Sequence, residues 1–410
     1  MPKIICSEID CTGCGACVQA CPKKCIKLIE NKEGFYYPSI DMEYCIECGK
    51  CQKVCHINNE VSKYNSSFYM CWNQSKEVLK NSSSGGAFTA IAKCIFDRNG
   101  VVFGAYQDFA SRNVYHMEIN SYDELDKIRL SKYCQSSIND TYMRIKELLC
   151  SDTPTLFCGT ACQIAGLLCY LKNTAADKKR DLLYTVDVLC HGVASQKTVN
   201  AFLKCKEEKF GKKIDKYFFR VKMVDKGWKS GSGKKMRLIF DDGTEYMAPH
   251  SNKDTYSKGY NKSIFLRESC YRCRYCGTDR ISDFTIADYW GVSEDSVPTG
   301  QLQYGVSLML INTEKARQLY SELELTMHIE SIIPDTAVAH NLAFTRPQTR
   351  PPERDRFFQM LEKYSYDTVI FKLFRKDFIK ADIKQMVNKI VGDKSYSKLL
   401  GKCKNAIKRK

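Results

Sequence analysis

Beyond residue 60, apolar residues alternate between short continuous runs and helical stripes. Residues 68–72 form one such run, which predicts a strand. Apolar positions spaced three and four apart follow between residues 88 and 95, and this spacing predicts a helix. Because strands that alternate with helices are typical of an α/β fold, the chain after residue 60 is predicted to be α/β.

The same alternation recurs in the middle of the chain. Residues 155–157 predict a strand, and the apolar stripe within 164–171 predicts the helix that follows it. Residues 182–189 predict a second, buried strand, and the polar residues 173–181 between them are interpreted as a loop. Open α/β sheets bind ligands at the carboxyl ends of their strands. The turns that follow these strands are therefore the first candidates for a site.

Two turns of this kind carry polar groups. Ser83, Ser84, Gly85 and Gly86 precede the first predicted helix, and small residues at that place leave the free N–H groups of a helix open to a phosphate. A plain capped turn has the same composition, so this pattern alone does not distinguish the two. The second turn, Cys158-Gly159-Thr160-Ala161-Cys162-Gln163, places two thiols and an amide at the ligand-binding edge.

The first 55 residues contain eight cysteines in two copies of one spacing. Each copy is C-x2-C-x2-C-x3-C, and the second copy has His56 where the first has Pro22. A cysteine at every third residue of a tight turn supplies three thiolates to a [4Fe-4S] cubane, and in two-cluster proteins the fourth comes from the other run. The predicted ligand sets are Cys11, Cys14, Cys17 and Cys55 for one cluster, and Cys45, Cys48, Cys51 and Cys21 for the other.

Zinc sites and disulfides are the alternatives for these cysteines. Zinc sites usually pair two short C-x2-C steps across a long loop, and cysteines within one tight turn cannot reach disulfide geometry. Both alternatives are therefore disfavoured. Residues 1–60 resemble the bacterial two-cluster ferredoxins, which implies an α+β module.

A third cysteine run lies further along the chain. Cys270, Cys273 and Cys276 have C-x2-C-x2-C spacing, which fits three ligands of a third cubane. The fourth ligand must come from a distant segment: Cys190, just after the strand predicted at 182–189, is the first choice, and Cys162 and Cys158 are the second. A structural zinc is the alternative at this site.

Composition and charge bound the class of protein. No apolar run is long enough to predict a membrane span, and 23 cysteines without a secretory signal fit a reducing, cytoplasmic compartment. The formal charge of +16 falls to roughly +10 if three oxidised clusters contribute about −2 each. Much of it lies between residues 394 and 410, where either a solvated helix face or a docking surface for an acidic carrier explains it. No nucleic-acid-binding module is recognisable.

Four motifs together resemble the coenzyme F420 hydrogenase/dehydrogenase beta-subunit family. They are Ser-Ser-Gly-Gly (83–86), Phe-Cys-Gly-Thr-Ala-Cys-Gln-Ile-Ala-Gly-Leu (157–167), Val-Leu-Cys-His-Gly-Val-Ala-Ser (188–195), and Arg-Glu-Ser-Cys-Tyr-Arg-Cys (267–273) with Ile-Ala-Asp-Tyr-Trp-Gly (286–291). The resemblance implies FAD beside iron–sulfur clusters. It divides the chain into a ferredoxin-type module (1–60), a mixed-sheet α/β flavin domain (65–335) and a basic, mainly helical extension (336–410).

The resemblance also implies a function. The expected protein is an oxidoreductase that passes electrons from a ferredoxin or a similar acidic carrier through three [4Fe-4S] clusters to FAD, and on to a small organic substrate. The candidate residues are Ser83, Ser84, Gly85 and Gly86 for the flavin phosphates, Thr160 and Gln163 for the isoalloxazine or pyrophosphate, and Cys162 and His191 as proton donors. For His191, a packed and hydrogen-bonded histidine is the equal alternative.

Two other classes of protein stay open at this point. One is an electron-transfer subunit without substrate chemistry of its own, which a substrate pocket beside the flavin would argue against. The other is a cluster-bearing scaffold with a degenerate flavin domain, which protein without flavin absorbance would favour. Family membership does not fix the substrate, and the sequence leaves the oligomeric state open, a homo-oligomer included.

Overall fold

The structure is a computed structural model that describes residues 4–229, 234–248 and 254–391. The basic stretch between residues 394 and 410 therefore lies outside the described residues. Within the described ranges, no helix combines the length and the apolar character that crossing a membrane requires.

The strands of the described residues form three sheets. Two strands pair in an N-terminal hairpin, three form a separate antiparallel sheet, and eight form a large central sheet. In chain order the strands are β1 (Ile26–Glu30), β2 (Tyr36–Ile40), β3 (Ser67–Asn73), β4 (Val101–Gln107), β5 (Val114–Ile119), β6 (Thr155–Thr160), β7 (Leu183–Val188), β8 (Ile214–Lys222), β9 (Lys234–Phe240), β10 (Glu245–Met247), β11 (Phe284–Asp288), β12 (Ser307–Ile311) and β13 (Met327–Ser331).

The central sheet has a parallel centre and antiparallel edges. Its strand order is β13-β3-β12-β11-β7-β6-β4-β5. Strands β11, β7, β6 and β4 run parallel, whereas β5 on one side and β12, β3 and β13 on the other pair antiparallel. The predicted mixed α/β fold is confirmed. The carboxyl ends of β6, β7 and β11 therefore lie side by side at one edge of the sheet.

Helices surround these sheets. The α-helices of the described residues are α1 (Ala16–Ala20), α2 (Lys50–Lys53), α3 (Lys76–Lys80), α4 (Ala87–Phe96), α5 (Thr141–Cys150), α6 (Ala161–Leu171), α7 (Gln196–Phe210), α8 (Thr255–Asn261), α9 (Gln301–Tyr304), α10 (Glu314–Arg317), α11 (Tyr320–Glu324), α12 (Pro334–His340), α13 (Glu353–Leu361) and α14 (Tyr366–Val391).

Both faces of the central sheet are buried. Successive strand residues point to opposite faces, so in β6 Leu156 packs into the core that contains α4, and Phe157 packs into the core that contains α5 and α6. Ala16 of the N-terminal module joins the second of these cores. The module is thus packed against the α6 face of the sheet.

A third core joins the C-terminal helices to the middle of the chain. Phe357 on α13 and Tyr366 on α14 are fully buried beside Phe202 of α7 and Phe265. Aromatic rings fill this core, with the Phe202 and Tyr366 ring centroids 5.5 Å apart. The beginning of the C-terminal extension therefore packs on the separate antiparallel sheet side of the molecule.

The secondary structure agrees with most of the sequence pattern and differs in one place. The strands and helices expected at 68–72, 88–95, 155–157, 164–171 and 182–189 are present as β3, α4, β6, α6 and β7. The loop expected at 173–181 is wrong, because a 3₁₀ helix spans Ala175–Leu182. Ala176 is fully buried and anchors this turn, while the Asp177 carboxylate accepts a hydrogen bond from the Asn173 amide. One buried alanine in a polar stretch gives too weak a periodic signal to predict this helix.

Candidate functional site: three cysteine groups and a cleft

Four cysteines of the N-terminal module surround one cavity, which we call the first group: Cys11, Cys14, Cys17 and Cys55. Their chain turns tightly, and Gly13 adopts a left-handed φ of 67° in close contact with the Arg267 side chain. A fifth thiol, Cys6, also lines the cavity. Hydrogen bonding from Cys6, helped by the Arg267 guanidinium, lowers the pKa of Cys11 to about 6. A thiolate, the form that binds iron, is thus favoured at this position.

The other predicted ligand set also shares one cavity, and we call it the second group: Cys21, Cys45, Cys48 and Cys51. All residues that line this cavity belong to the stretch between positions 21 and 51. Cys48 is exposed, unlike the buried Cys11 and Cys55 of the first group. Cys25 again adds a fifth thiol, 3.4 Å from the Cys21 sulfur. The structure therefore brings the last cysteine of each run to the other run, in the arrangement typical of two-cluster ferredoxins.

Five cysteines converge on a third cavity, and we call them the third group: Cys162, Cys190, Cys270, Cys273 and Cys276. Both Cys190 and Cys162 reach this cavity, whereas Cys158 lines the neighbouring cleft. Hydrogen bonding with Cys276 lowers the pKa of Cys273 to about 7, against the opposing effect of burial. The set offers four thiolates to a cubane with one thiol to spare. No three His, Cys, Asp or Glu side chains of the described residues lie close enough to share a single metal ion.

A large cleft opens at the carboxyl ends of the parallel strands. Its volume is about 560 Å³, and Thr160 of β6, Val188 of β7 and Asp288 of β11 all line it. Cys190 and His191 line both this cleft and the cavity of the third group. The two spaces are therefore adjacent, and the cleft has the size and position of a cofactor pocket.

The serine–glycine turn lies at the far wall of the cleft from the third group. Ser83, Ser84 and Gly86 line the cleft, and helix α4 begins directly after them. Gly85 instead faces the sheet: its amide donates to the Ser307 hydroxyl at 2.9 Å, and its carbonyl accepts from the Asn73 amide at 2.7 Å. The hydroxyl of Ser84 donates to the Val306 carbonyl. Ser83, whose hydroxyl accepts from the Ser131 amide, is thus the side chain of this turn best placed for a ligand.

Gly85 tests packing, and this gives a first prediction. A β-carbon at Gly85 would lie 2.4 Å from the Cys71 carbonyl oxygen and 2.7 Å from the Ser307 amide, both backbone atoms of the sheet. We expect Gly85→Val to lower the free energy of unfolding by about 3 kcal/mol, measured by chemical denaturation. Ser83→Ala is the matched change inside the cleft and should unfold almost as the wild type does. A Gly85→Val protein of full stability would contradict this packing.

The predicted residues of the second turn hold the local structure together. The Gln163 side-chain oxygen accepts from the Thr160 amide at 3.0 Å, and its nitrogen donates to the Ser136 carbonyl at 3.1 Å. Both residues line the cleft, so their placement allows contact with a ligand while their main hydrogen bonds are internal. The Cys162 sulfur lies 3.1 Å from the Thr160 hydroxyl. Burial raises the pKa of Cys162 to about 11, opposite to the lowering expected from a helix N-terminus.

His191 sits between the cleft and the third group. Its Nε2 lies 3.0 Å from both the Tyr260 carbonyl oxygen and the Ser263 hydroxyl, and its ring packs on Tyr260. Burial lowers the pKa of His191, so its neutral form prevails at neutral pH. A neutral ring that donates from Nε2 to the carbonyl keeps Nδ1 as an acceptor. Both alternatives for His191, packed residue and proton carrier, are compatible with this placement.

Three cations line the cleft that the sequence did not single out: Arg129, Lys132 and Arg220. The Nε atoms of Arg129 and Arg220 are buried without a hydrogen-bond partner, which leaves two donors for an anion beside Ser83. Arg220 also pairs with Asp288 at 2.6 Å and donates to the Ser83 carbonyl. Desolvation lowers the pKa of Lys132 to about 7. No sequence signal marked them, since Arg220 reaches the cleft from the separate antiparallel sheet; only the pairing of Arg129 with Lys132 around Ser131 hinted at an anion site.

Comparison with known proteins adds two matches to family models. The model for the C terminus of the coenzyme F420 hydrogenase/dehydrogenase beta subunit matches residues 153–335, and the model described as 4Fe-4S dicluster domain matches residues 10–59. An uncharacterized ferredoxin of Methanocaldococcus jannaschii is 38% identical over 56 residues, which are 14% of this chain and 71% of the relative. A chain from a structure of the F420-reducing [NiFe] hydrogenase complex of Methanosarcina barkeri is 15% identical, with a TM-score of 0.44 over 77% of this chain and 93% of that one.

The fold, the cysteine groups and the matches define the class of protein. It is an iron–sulfur protein of the oxidoreductases, with [4Fe-4S] binding in its N-terminal module and an electron-transfer role. The chain belongs to the coenzyme F420 hydrogenase/dehydrogenase beta-subunit family.

Proposed function

We propose that this protein is an iron–sulfur flavoprotein oxidoreductase of the cytoplasm. It takes electrons from a ferredoxin or a similar acidic carrier and delivers them, by way of three [4Fe-4S] clusters and FAD, to a small organic substrate. Clusters exchange single electrons, whereas a flavin accepts either one or two and can reduce an organic molecule. In this proposal residues 1–60 form the ferredoxin-type module, 65–335 the flavin domain and 336–410 the C-terminal extension.

One observation carries the proposal: the cleft joins the third cysteine group to a wall of unsatisfied cations. Cys190 and His191 stand at one end, and Ser83, Arg129 and Arg220 at the other. FAD is an elongated molecule with a redox-active ring at one end and a pyrophosphate near its middle. The buried Nε donors of the two arginines fit the pyrophosphate, and the end near Cys190 fits the ring.

The chain's own residues divide the work of this site. Arg129, Lys132 and Arg220 neutralise and orient the phosphates, while Thr160 and Gln163 support the wall between the ring and the third group. His191 holds a proton acceptor at the boundary of the two spaces, and Cys162 lies close enough to that boundary to serve as a proton donor. The remaining volume of the cleft, lined by His340 and Gln348, is the space we assign to the substrate.

Cofactor analysis of anaerobically purified protein tests the proposal. We expect about twelve irons and one FAD per chain, measured by iron assay, flavin fluorescence after release and visible absorbance. Iron without flavin would leave an electron-transfer subunit as the function. About eight irons together with zinc would mean that the third group is a zinc site and not a cubane.

A further inference from the structure

The two cysteine groups of the N-terminal module face different surroundings. The cavity of the third group is lined, besides its own cysteines, by Asp10, Thr12 and Ile57 of the module. These residues flank Cys11 and Cys55, both members of the first group. The cavity of the second group is lined only by residues of the module, and Cys48 there is exposed. The first group thus lies toward the third group, and the second group lies toward solvent.

The segment that carries the third-group cysteines also grips the module around the first group. The Arg274 side chain donates to the Ile57 carbonyl at 2.7 Å, and the Arg272 side chain lies 3.2 Å from the Asp10 carboxylate. The Tyr275 hydroxyl, between Cys273 and Cys276 in sequence, lies 2.5 Å from Nδ1 of His56. His56 directly follows Cys55 and occupies the position that is proline in the first copy of the motif. The departure from proline therefore supplies a contact between the two cluster segments.

Arg267 makes the most buried of these contacts. It is 1% exposed, and its backbone lies between Val193 and Cys270 through hydrogen bonds of 3.0 and 2.9 Å. Its side chain crosses to the module, where Nε donates to the Cys11 carbonyl at 2.8 Å and Nη2 lies 3.8 Å from the Cys11 sulfur.

The acceptors of the Arg267 side chain are neutral, apart from this sulfur. They are the carbonyls of Cys11 and Tyr36 and the amide oxygen of Gln135. A buried guanidinium is stable only beside compensating negative charge, and the thiolates of the first group with a bound cluster supply that charge.

We propose that the first group is the one that exchanges electrons with the third group, and that Arg267 is the positioning residue that joins the two. The second group then receives electrons from the carrier at the surface. In each transfer one electron leaves the first group and one arrives at the third group, while Arg267, His56 and Tyr275 keep their bonds and protons. Positive charge and hydrogen bonding at cluster sulfurs raise a cluster's reduction potential, so Arg267 also holds the first group at a higher potential. This inference rests on the proposed cluster function but needs neither flavin nor substrate.

Paired cysteine variants of the full chain test which group neighbours the third. Cys14→Ala/Cys17→Ala removes the first cluster and Cys48→Ala/Cys51→Ala the second, as iron analysis verifies. EPR spectra of the dithionite-reduced proteins report magnetic interaction between the two clusters that remain. We expect the interaction to persist in Cys48→Ala/Cys51→Ala and to be lost in Cys14→Ala/Cys17→Ala. The reverse pattern would overturn the proposal, and so would a third group that binds no cluster.

Arg267 variants give a second measurement that does not depend on deleting a cluster. EPR-monitored redox titration should show a more negative potential for the first-group cluster in Arg267→Met, partly restored in Arg267→Lys. Arg272→Met is the matched control, because that arginine meets the module at an exposed ion pair and should leave the potential unchanged. If Arg267→Met does not retain iron, the lysine variant carries the comparison. Wild-type potential and coupling in the Arg267 variants would refute its role. Absent flavin with intact coupling would refute only the proposed flavin chemistry.

Discussion

Replacing Cys190 with serine should remove about four of the protein's irons and leave the two clusters of the N-terminal module in place. Cys190 follows β7 and lies at the boundary between the third cavity and the cleft. Burial and the neighbouring thiols Cys270 and Cys162 raise its pKa well above the ordinary value, so in the absence of a metal charge it stays protonated. Iron analysis and the loss of one EPR signal are the measurements.

Cys162→Ser is the matched variant, because it changes a second cysteine of the same cavity. We expect this protein to keep its iron and to lose turnover, since Cys162 lies at the start of α6 beside the Thr160 hydroxyl and faces the flavin boundary. Iron loss in Cys162→Ser alone would exchange the two assignments. Loss in both variants would make the two cysteines co-ligands and leave Cys276 as the spare thiol of the group.

Lys132→Met should weaken FAD binding roughly thirtyfold, which corresponds to a charge-assisted hydrogen bond worth about 2 kcal/mol. Lys132 lines the cleft beside Ser131, and its ammonium donates to the Arg129 carbonyl. A methionine keeps the length of the side chain and removes only the charge. The measurement is a flavin titration of the apoprotein. Lys127→Met, at an exposed lysine paired with Glu124, is the control and should bind FAD as the wild type does.

The same residue predicts how FAD binding and stability depend on pH. Desolvation lowers the pKa of Lys132 to about 7, below about 10.4 for an unfolded lysine. The unfolded chain therefore holds a proton that the folded apoprotein lacks between these values. The destabilisation is complete below pH 7 and fades toward about pH 10.4, so apoprotein stability rises with pH across this window.

FAD should show the opposite trend. Its phosphates favour the ammonium form, so binding takes up a proton above pH 7 and affinity falls as the pH rises. Lys132→Met should abolish both trends. A pH-independent FAD affinity in the wild type would show that Lys132 does not face the phosphates.

Much of the iron–sulfur character could be predicted because cluster ligands follow a local rule. Spacing of three residues in a tight turn is a property of the chain itself, and it located the ligand candidates from Cys11 to Cys55 and from Cys270 to Cys276. The hydrophobic alternation likewise located β3, β6, β7, α4 and α6. The turn at 175–182 was missed because only Ala176 anchors it in the core.

The sequence by itself determined the cysteine-rich module, the α/β class and the edge of the sheet at which a site would lie, because spacing and periodicity are local. The tertiary structure alone decided that Cys190 and Cys162, but not Cys158, reach the third cavity, and that Gly85 faces the sheet instead of the cleft. It also brought Arg220 from a separate sheet to Ser83, and Arg267 to a cysteine 256 residues away. Such contacts depend on how sheets and loops pack, and no spacing along the chain encodes which distant charge will fill a buried position.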